Sequence, residues 1–471
     1  MNRSSLKFQR VCVVVLCAVL YFAGVATRAR AGLTDGVKFK RLKNDLTVLV
    51  LENHKAPVAT LNIFYRVGSR NEHFGKTGIS HLCEHLMFRG TKKLKPEEFS
   101  NIIQENGGMD NAFTSADYTD YFEVINRDHL NVPVALESDR MANFDPKGFK
   151  SEKAVVMEER RLRTDDNPED ALAELTDAQA FLAHPYHWPV IGWMNDISGL
   201  TLADVLAYHR VYYSPQNATV VAVGDFNADA VMKEITEAFG TLPNGPKPPP
   251  VTEVEPAQHG ARHAVLRHAA NLPALEMAFH VPNYRSADSF PLEVAAEILA
   301  DGKSSRLYRD LVVEKRMAVE IDASYDMTSF DPGLFAISAE LRPGIKTKDA
   351  VAEIDRQLAL LRTKEAGAKE LQKAKNLEQA EFVFGEDSIF REAMLLGLYQ
   401  MLGNYRMLDQ YLPGIDRVKA SDVQRVAGAY LVDSNRTLGV LVPTGLLPPG
   451  AGGGSASGVV HYASVSLEPV P

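Results

Sequence analysis

Pro243-Asn244-Gly245-Pro246-Lys247-Pro248-Pro249-Pro250 places five prolines in eight residues. Each proline fixes φ and removes a backbone donor, so the run can be neither helix nor central strand. It reads as a stiff, extended spacer. It divides the chain into two domain-sized pieces, about 33–242 and 251–445.

The two pieces share a pattern. Under a shift of 218 positions, Ile197 meets Ile415, Asp204 meets Asp422 and Val205 meets Val423. In the same register Tyr212 meets Tyr430, Asn217 meets Asn435 and Thr219 meets Thr437. Both stretches read as a helix opened by an acidic turn, a tyrosine near its end, a polar turn, then a β-rich run. Those runs are Ala218 to Val223 and Thr437 to Val442. The spacing predicts duplication of a large unit rather than a short-period solenoid.

Within the first piece, Leu46 to Leu51 and Val58 to Val67 read as strands, and Ala112 to Ile125 is strand-rich. Gly78 to Phe88, Pro96 to Glu105, Asp128 to Arg140 and Glu152 to Arg163 read as helices. Strands and helices come in runs rather than strict alternation. The expected class is α+β: two duplicated, similarly folded domains, each with a mainly antiparallel sheet flanked by helices.

The ends read differently. Lys7 and Arg10 precede an apolar run from Val11 to Val25, and Ala29-Arg30-Ala31 offers a small-x-small cleavage site. Residues 1–31 are therefore expected to be a signal peptide, with export to a bacterial periplasm and no membrane association once it is cleaved. Kept uncleaved, the same run would be an anchor. Residues 446–458 are Gly-, Pro- and Ser-rich and read as the start of a flexible tail running to 471.

The whole chain of 471 residues carries a net charge of −9. Without 1–31 there are 46 basic against 60 acidic residues, a net of −14. That balance argues against a nucleic-acid partner or an anionic membrane surface. Cys83 is the single cysteine after residue 31, so an internal disulfide is excluded there.

The chemistry concentrates in His81-Leu82-Cys83-Glu84-His85. On a helix, residues four apart share a face, so both imidazoles can converge on one metal ion. Glu84 stands beside the second histidine, within reach of a water on that ion. The order H-x-x-E-H is the inverted form of the zinc-protease motif. Neutral imidazoles suit Zn²⁺, and a carboxylate can take the proton as water attacks a carbonyl. A catalytic zinc needs a third protein ligand. Glu152 and Glu159, seven apart, share one helix face, with Val155 and Val156 between them expected to bury it. Either carboxylate suits the position by spacing alone.

His81-x-x-Glu84-His85, continued as Leu-Met-Phe-Arg-Gly-Thr91, resembles the zinc peptidases of the pitrilysin family. So do Glu152 to Glu159, Asn111 to Thr114 with Thr119-Asp-Tyr121, and Ser214 to Asp225. In the second half, Ser304 to Tyr308 and Phe382 to Ser388 share the likeness. The two-domain length is closest to the mitochondrial-processing-peptidase-like branch. The resemblance implies one zinc per chain on His81, His85 and Glu159. It implies Glu84 as general base and later proton donor, and Glu152 in the catalytic set as a carboxylate that orients the site. It further implies an edge strand near Met109 to Ser115, where Asn111, Ala112, Phe113 and Thr114 would pair with an extended peptide. The second half's counterpart helix, near Leu292 to Ala300, has no histidine.

One departure matters. Active relatives carry an Arg and a Tyr seven residues apart in the C-terminal half, which hold the substrate and its oxyanion. Val312 and Val319 stand in those places here. The resemblance then implies a zinc-dependent endopeptidase for extended or unfolded segments, working as the zinc subunit beside a homologous partner that carries Arg and Tyr. Its alternative is a non-catalytic assembly or peptide-binding subunit of the same fold.

Overall fold

Apolar runs become strands, and the glycine and proline clusters between them become turns. The computed structural model describes residues 32–385 and 388–445, so the expected signal segment 1–31 and the tail 446–471 lie outside it. Of the described residues, 32–36 belong to one unit and those from Val37 onward to another.

The first sheet runs β1 (Lys38–Arg41), β2 (Thr47–Glu52), β3 (Val58–Tyr65), β4 (Met109–Thr114), β5 (Thr119–Asn126) and β6 (Ala218–Gly224). Its spatial order is β1-β2-β6-β3-β5-β4. The second contains β7 (Arg262–His268), β8 (Ala274–Val281), β9 (Ala318–Tyr325), β10 (Gly333–Leu341) and β11 (Arg436–Pro443), in the order β7-β11-β8-β10-β9. Each sheet is antiparallel except for one pair, β2–β6 in the first and β7–β11 in the second. Strand for strand, the second sheet repeats β2-β6-β3-β5-β4. The α+β class and its duplication are thus realised.

The register of 218 holds in the coordinates. The helices Leu202–Tyr212 and Ala420–Tyr430 begin and end in step, as do the short turns Pro215–Asn217 and Asp433–Asn435. Their side chains repeat too. Asn217 Nδ2 donates to Tyr212 O at 2.8 Å and to Arg66 O at 3.2 Å. Asn435 Nδ2 donates to Tyr430 O at 2.9 Å and to His280 O at 2.9 Å. In both copies one amide ties a helix end to the neighbouring strand.

No helix or strand lies between Phe239 and Arg262. The proline-rich stretch is strapped along the body rather than free. Gln216 Nε2 donates to Gly245 O and Pro246 O, both at 2.9 Å, and the Glu255 carboxylate accepts from the backbone N–H groups of Leu182, Ala183 and His184.

Each sheet is covered by a helix from the other half. Pro168–Ala180 lies on β7, β8 and β11, and Ile389–Leu402 lies on β3 and β6. This explains why β3 is buried along nearly its whole length rather than at alternate residues. Gly397 and Gly439 make the approach possible. A Cβ on Gly397 would sit 2.0 Å from the Phe64 ring, and one on Gly439 2.0 Å from Thr176 Oγ1. Among the described residues, no helix is long and apolar enough to cross a membrane.

Candidate metal centre

The motif helix is Ile79–Met87. Gly78 precedes it at φ +84°, and a Cβ there would meet Ile191 O at 2.4 Å. The helix start is capped from outside the motif. Glu72, buried, accepts from Gly78 N at 2.7 Å and from Ser80 N at 2.8 Å. These are orphan donors of a helix N-terminus, where a carboxylate also meets the favourable end of the helix dipole. Burial nevertheless pushes Glu72 up to about 8.

Ile79, Leu82, Cys83 and Leu86 bury one side of this helix in the first core. Cys83 is fully enclosed there, and burial pushes its thiol well above the usual range. His81 and His85 leave by the other side, their rings 4.7 Å apart at 71°. The helix Phe149–Arg160 packs against this one and presents its own carboxylates. Glu159 Oε2 lies 3.3 Å from His85 Nε2 and 3.8 Å from His81 Nε2. One ligand atom from each of the three residues falls within 4.8 Å of the others, the one such cluster among the described residues. Tetrahedral zinc bonds of 2.0–2.2 Å would place ligand atoms roughly 3.3–3.6 Å apart. Two imidazoles and one carboxylate therefore fit zinc in both chemistry and scale. Among the described residues, the buried His81 Nδ1 has no hydrogen-bond partner.

The electrostatics suit a metal site. Burial, then the neighbouring His85 charge, lower His81 to about 4, which keeps a neutral ligand. For Glu159 burial pushes upward, but the His85 hydrogen bond and the His81 and Arg163 charges prevail and hold it at about 2. Burial raises Glu84 to about 6, against the pull of its bond from Thr114 Oγ1 at 2.6 Å.

Glu152 stands one layer out. Its Oε2 faces His85 Nδ1 at 3.6 Å and its Oε1 meets Arg89 Nη2 at 2.5 Å. It touches the imidazole, not the point where His81, His85 and Glu159 converge. The expectation that Val155 and Val156 both bury this helix face is corrected: Val156 is fully buried, but Val155 is 47% exposed. The face is narrower than the spacing implied, and the helix turns into a π-helical segment at Arg161–Asp165.

Of the expected peptide-binding residues, Thr114 is the one that reaches the cluster, through Glu84. Asn111 is exposed and its Oδ1 accepts from Ala112 N at 2.9 Å. Ala112 packs on the core, and Phe113 lies 5.8 Å from Tyr118. All four belong to β4, which pairs with β5 and forms the outer edge of its sheet. Val319 lies on β9, the second sheet's counterpart of β4, and is 42% exposed. Arg309 is engaged with Glu314 at 3.2 Å. Glu72 escaped the sequence reading because it acts through backbone amides six and eight residues on. Arg89 was visible only as part of a longer run.

Comparison with known proteins identifies the family and the fold. Residues 47–192 match the family described as Insulinase (Peptidase family M16), and residues 199–378 match the Peptidase M16 inactive domain. A zinc protease of Helicobacter pylori named PqqE is 37% identical over 410 residues, 85% of this chain and 92% of its own. The crystal structure of a protease from Helicobacter pylori superposes with a TM-score of 0.84 at 35% identity, covering 86% of this chain and 99% of that one. A chain of complex III2 from Candida albicans shares the fold at a TM-score of 0.73 and 18% identity, over 86% of this chain and 96% of its own. The protein belongs to peptidase family M16, the insulinase/pitrilysin-like metallopeptidases.

Proposed function

We propose that this chain is a zinc-dependent endopeptidase acting on extended peptides or unfolded segments, and that it is the zinc-bearing subunit of a pair. The observation that carries the reading is the convergence of His81, His85 and Glu159 beside a buried Glu84. When bound on those three residues, zinc would supply Lewis acidity to the scissile carbonyl and to a water.

The protein's own residues do the rest. Glu84, held at about 6 by burial, is placed to take the attacking water's proton and later pass it to the leaving amine. Thr114 fixes the Glu84 carboxylate by donating to its Oε2. The outer edge of β4 would bind the peptide by strand addition, Asn111, Ala112, Phe113 and Thr114 offering backbone rather than side-chain recognition. Glu152 would hold His85 in place. Val312 and Val319 can donate no hydrogen bond to an oxyanion, which supports a partner that brings Arg and Tyr. A missing donor of that kind costs about 10²–10³ in turnover. The segment 1–31 supports export to a periplasm.

The test is cleavage of a quenched-fluorescence unfolded peptide by the zinc-loaded chain, alone and with a homologous subunit carrying Arg and Tyr. The expected result is one zinc per chain, weak cleavage alone, strong cleavage in the pair, and a loss of about 10²–10⁴ in Glu84→Gln. Robust cleavage by the chain alone would overturn the pairing. Full cleavage by Glu84→Gln would overturn the mechanism. Zinc binding with no cleavage under either condition would favour a non-catalytic assembly subunit, the reading to which the valines also point.

A further inference from the structure

The sequence Leu86-Met-Phe-Arg89-Gly90-Thr91 closes the motif helix and sets one cation beside the metal centre. Gly90 takes φ +104°, where a Cβ would lie 2.7 Å from Leu94 O, so the chain turns sharply just after Arg89. Thr91 locks the turn: its Oγ1 donates to Asp139 Oδ2 at 2.6 Å and accepts from Lys93 N and Leu94 N, each at 3.0 Å. Arg89 is thereby held at the foot of the helix that carries both histidines.

Its guanidinium has two acidic neighbours of different kind. Glu97 lies at 2.9 Å but is 72% exposed. Glu152, at 2.5 Å, is 5% exposed. Among the described residues, the Arg89 charge is what compensates this enclosed carboxylate oxygen. The other oxygen of Glu152 faces His85 Nδ1. A line of groups results: Arg89, Glu152, His85, and then the face that His81 and Glu159 share.

We propose that Arg89 is a positioning residue of the metal centre, which holds Glu152 so that its free oxygen orients the His85 ring. The inference rests on the metal reading above. The physics is that of a buried carboxylate. Without a cation beside it, the enclosed Glu152 carboxylate would swing toward water, and its contact with His85 Nδ1 would be lost. Loss of such an outer partner weakens metal affinity by about 10–100-fold. Arg163 makes a similar contact with Glu159 Oε1 at 3.0 Å, but at 74% exposure its charge is screened, so Arg89 is the one expected to matter.

The experiment measures zinc affinity by competition with a chromogenic chelator, on the full chain, for wild type, Arg89→Ala, Arg89→Lys, Glu152→Gln, the double variant Arg89→Ala/Glu152→Gln, and Glu97→Ala. Thermal unfolding of each metal-free protein is recorded alongside. Arg89→Ala is expected to bind zinc about 10–100-fold more weakly, with Arg89→Lys recovering most of the loss. Glu97→Ala is expected to bind as wild type. The double variant is expected to match Glu152→Gln within about threefold, because both changes break one line. Wild-type affinity in Arg89→Ala, or a double variant that loses the product of the single effects, would overturn the proposal. If Arg89→Ala does not fold, Arg89→Gln and the lysine variant decide the same question. A wild-type chain that binds no zinc would sink the metal reading itself. Zinc bound equally by wild type and variant sinks only the role of Arg89.

Discussion

Glu72 shows how much of a metal site can be set by a residue outside its motif. Its carboxylate satisfies two amides at the start of the motif helix. Glu72→Ala would leave them orphaned in a closed interior, at a cost of about 1–3 kcal/mol. Glu72→Gln keeps an acceptor oxygen and should lose clearly less. Urea unfolding of the metal-free protein checks this, and equal losses for the two variants would show that packing rather than capping is at stake. His81, Glu84 and His85 were legible because helix periodicity alone brings i and i+4 together. Glu159 could be shortlisted with Glu152 from their spacing, and the family resemblance gave them different roles; the fold turns one toward both Nε2 atoms and the other toward His85 Nδ1. Nothing local in the sequence announces Glu72, whose partners are backbone.

At the scale of elements, the strands of the first half were readable from β-rich runs, and the 218-residue register carried over to helices, turns and even the paired asparagine bonds. What was not readable is which helix covers which sheet. That depends on contacts between residues hundreds of positions apart, and its signature is a glycine in an otherwise ordinary strand. Gly439 stands where the first copy has Val221, yet Thr176 of the other half presses on it. Gly439→Ala forces a Cβ into that contact and should destabilise the chain by about 1–3 kcal/mol. Adding Thr176→Ala, which removes the opposing hydroxyl, should recover much of the loss. A double variant no more stable than Gly439→Ala would mean that the glycine serves some other end. Val155 teaches the converse lesson: of two adjacent valines read as buried, Val156 is enclosed and Val155 is half open.

At the scale of the molecule, the seam between the Pro168–Ala180 helix and the second sheet holds two half-buried acids. Burial, and then the Glu174 charge, push Asp177 up to about 7. Burial, and then the Asp177 charge, push Glu276 up to about 8. Folded-state values above the unfolded ones mean that the native chain keeps protons the unfolded chain has released. Stability should therefore fall as pH rises from about 4, and the decline should end once pH passes about 8. Glu276→Gln removes one of these ionisations. Its thermal midpoint should exceed that of the wild type at pH values above about 8 and converge with it near pH 5. Parallel curves for the two proteins would assign the pH dependence elsewhere.

The exchange of helices also changes what a domain means here. Each sheet borrows the cover for one face from the other half, so neither half encloses a complete interior alone. Helix-on-sheet contacts cross the proline-rich stretch in both directions, from Pro168–Ala180 to the second sheet and from Ile389–Leu402 to the first. Such a chain repeats one pattern in its sequence yet shares its interior between the copies, so a substitution at either seam acts on both.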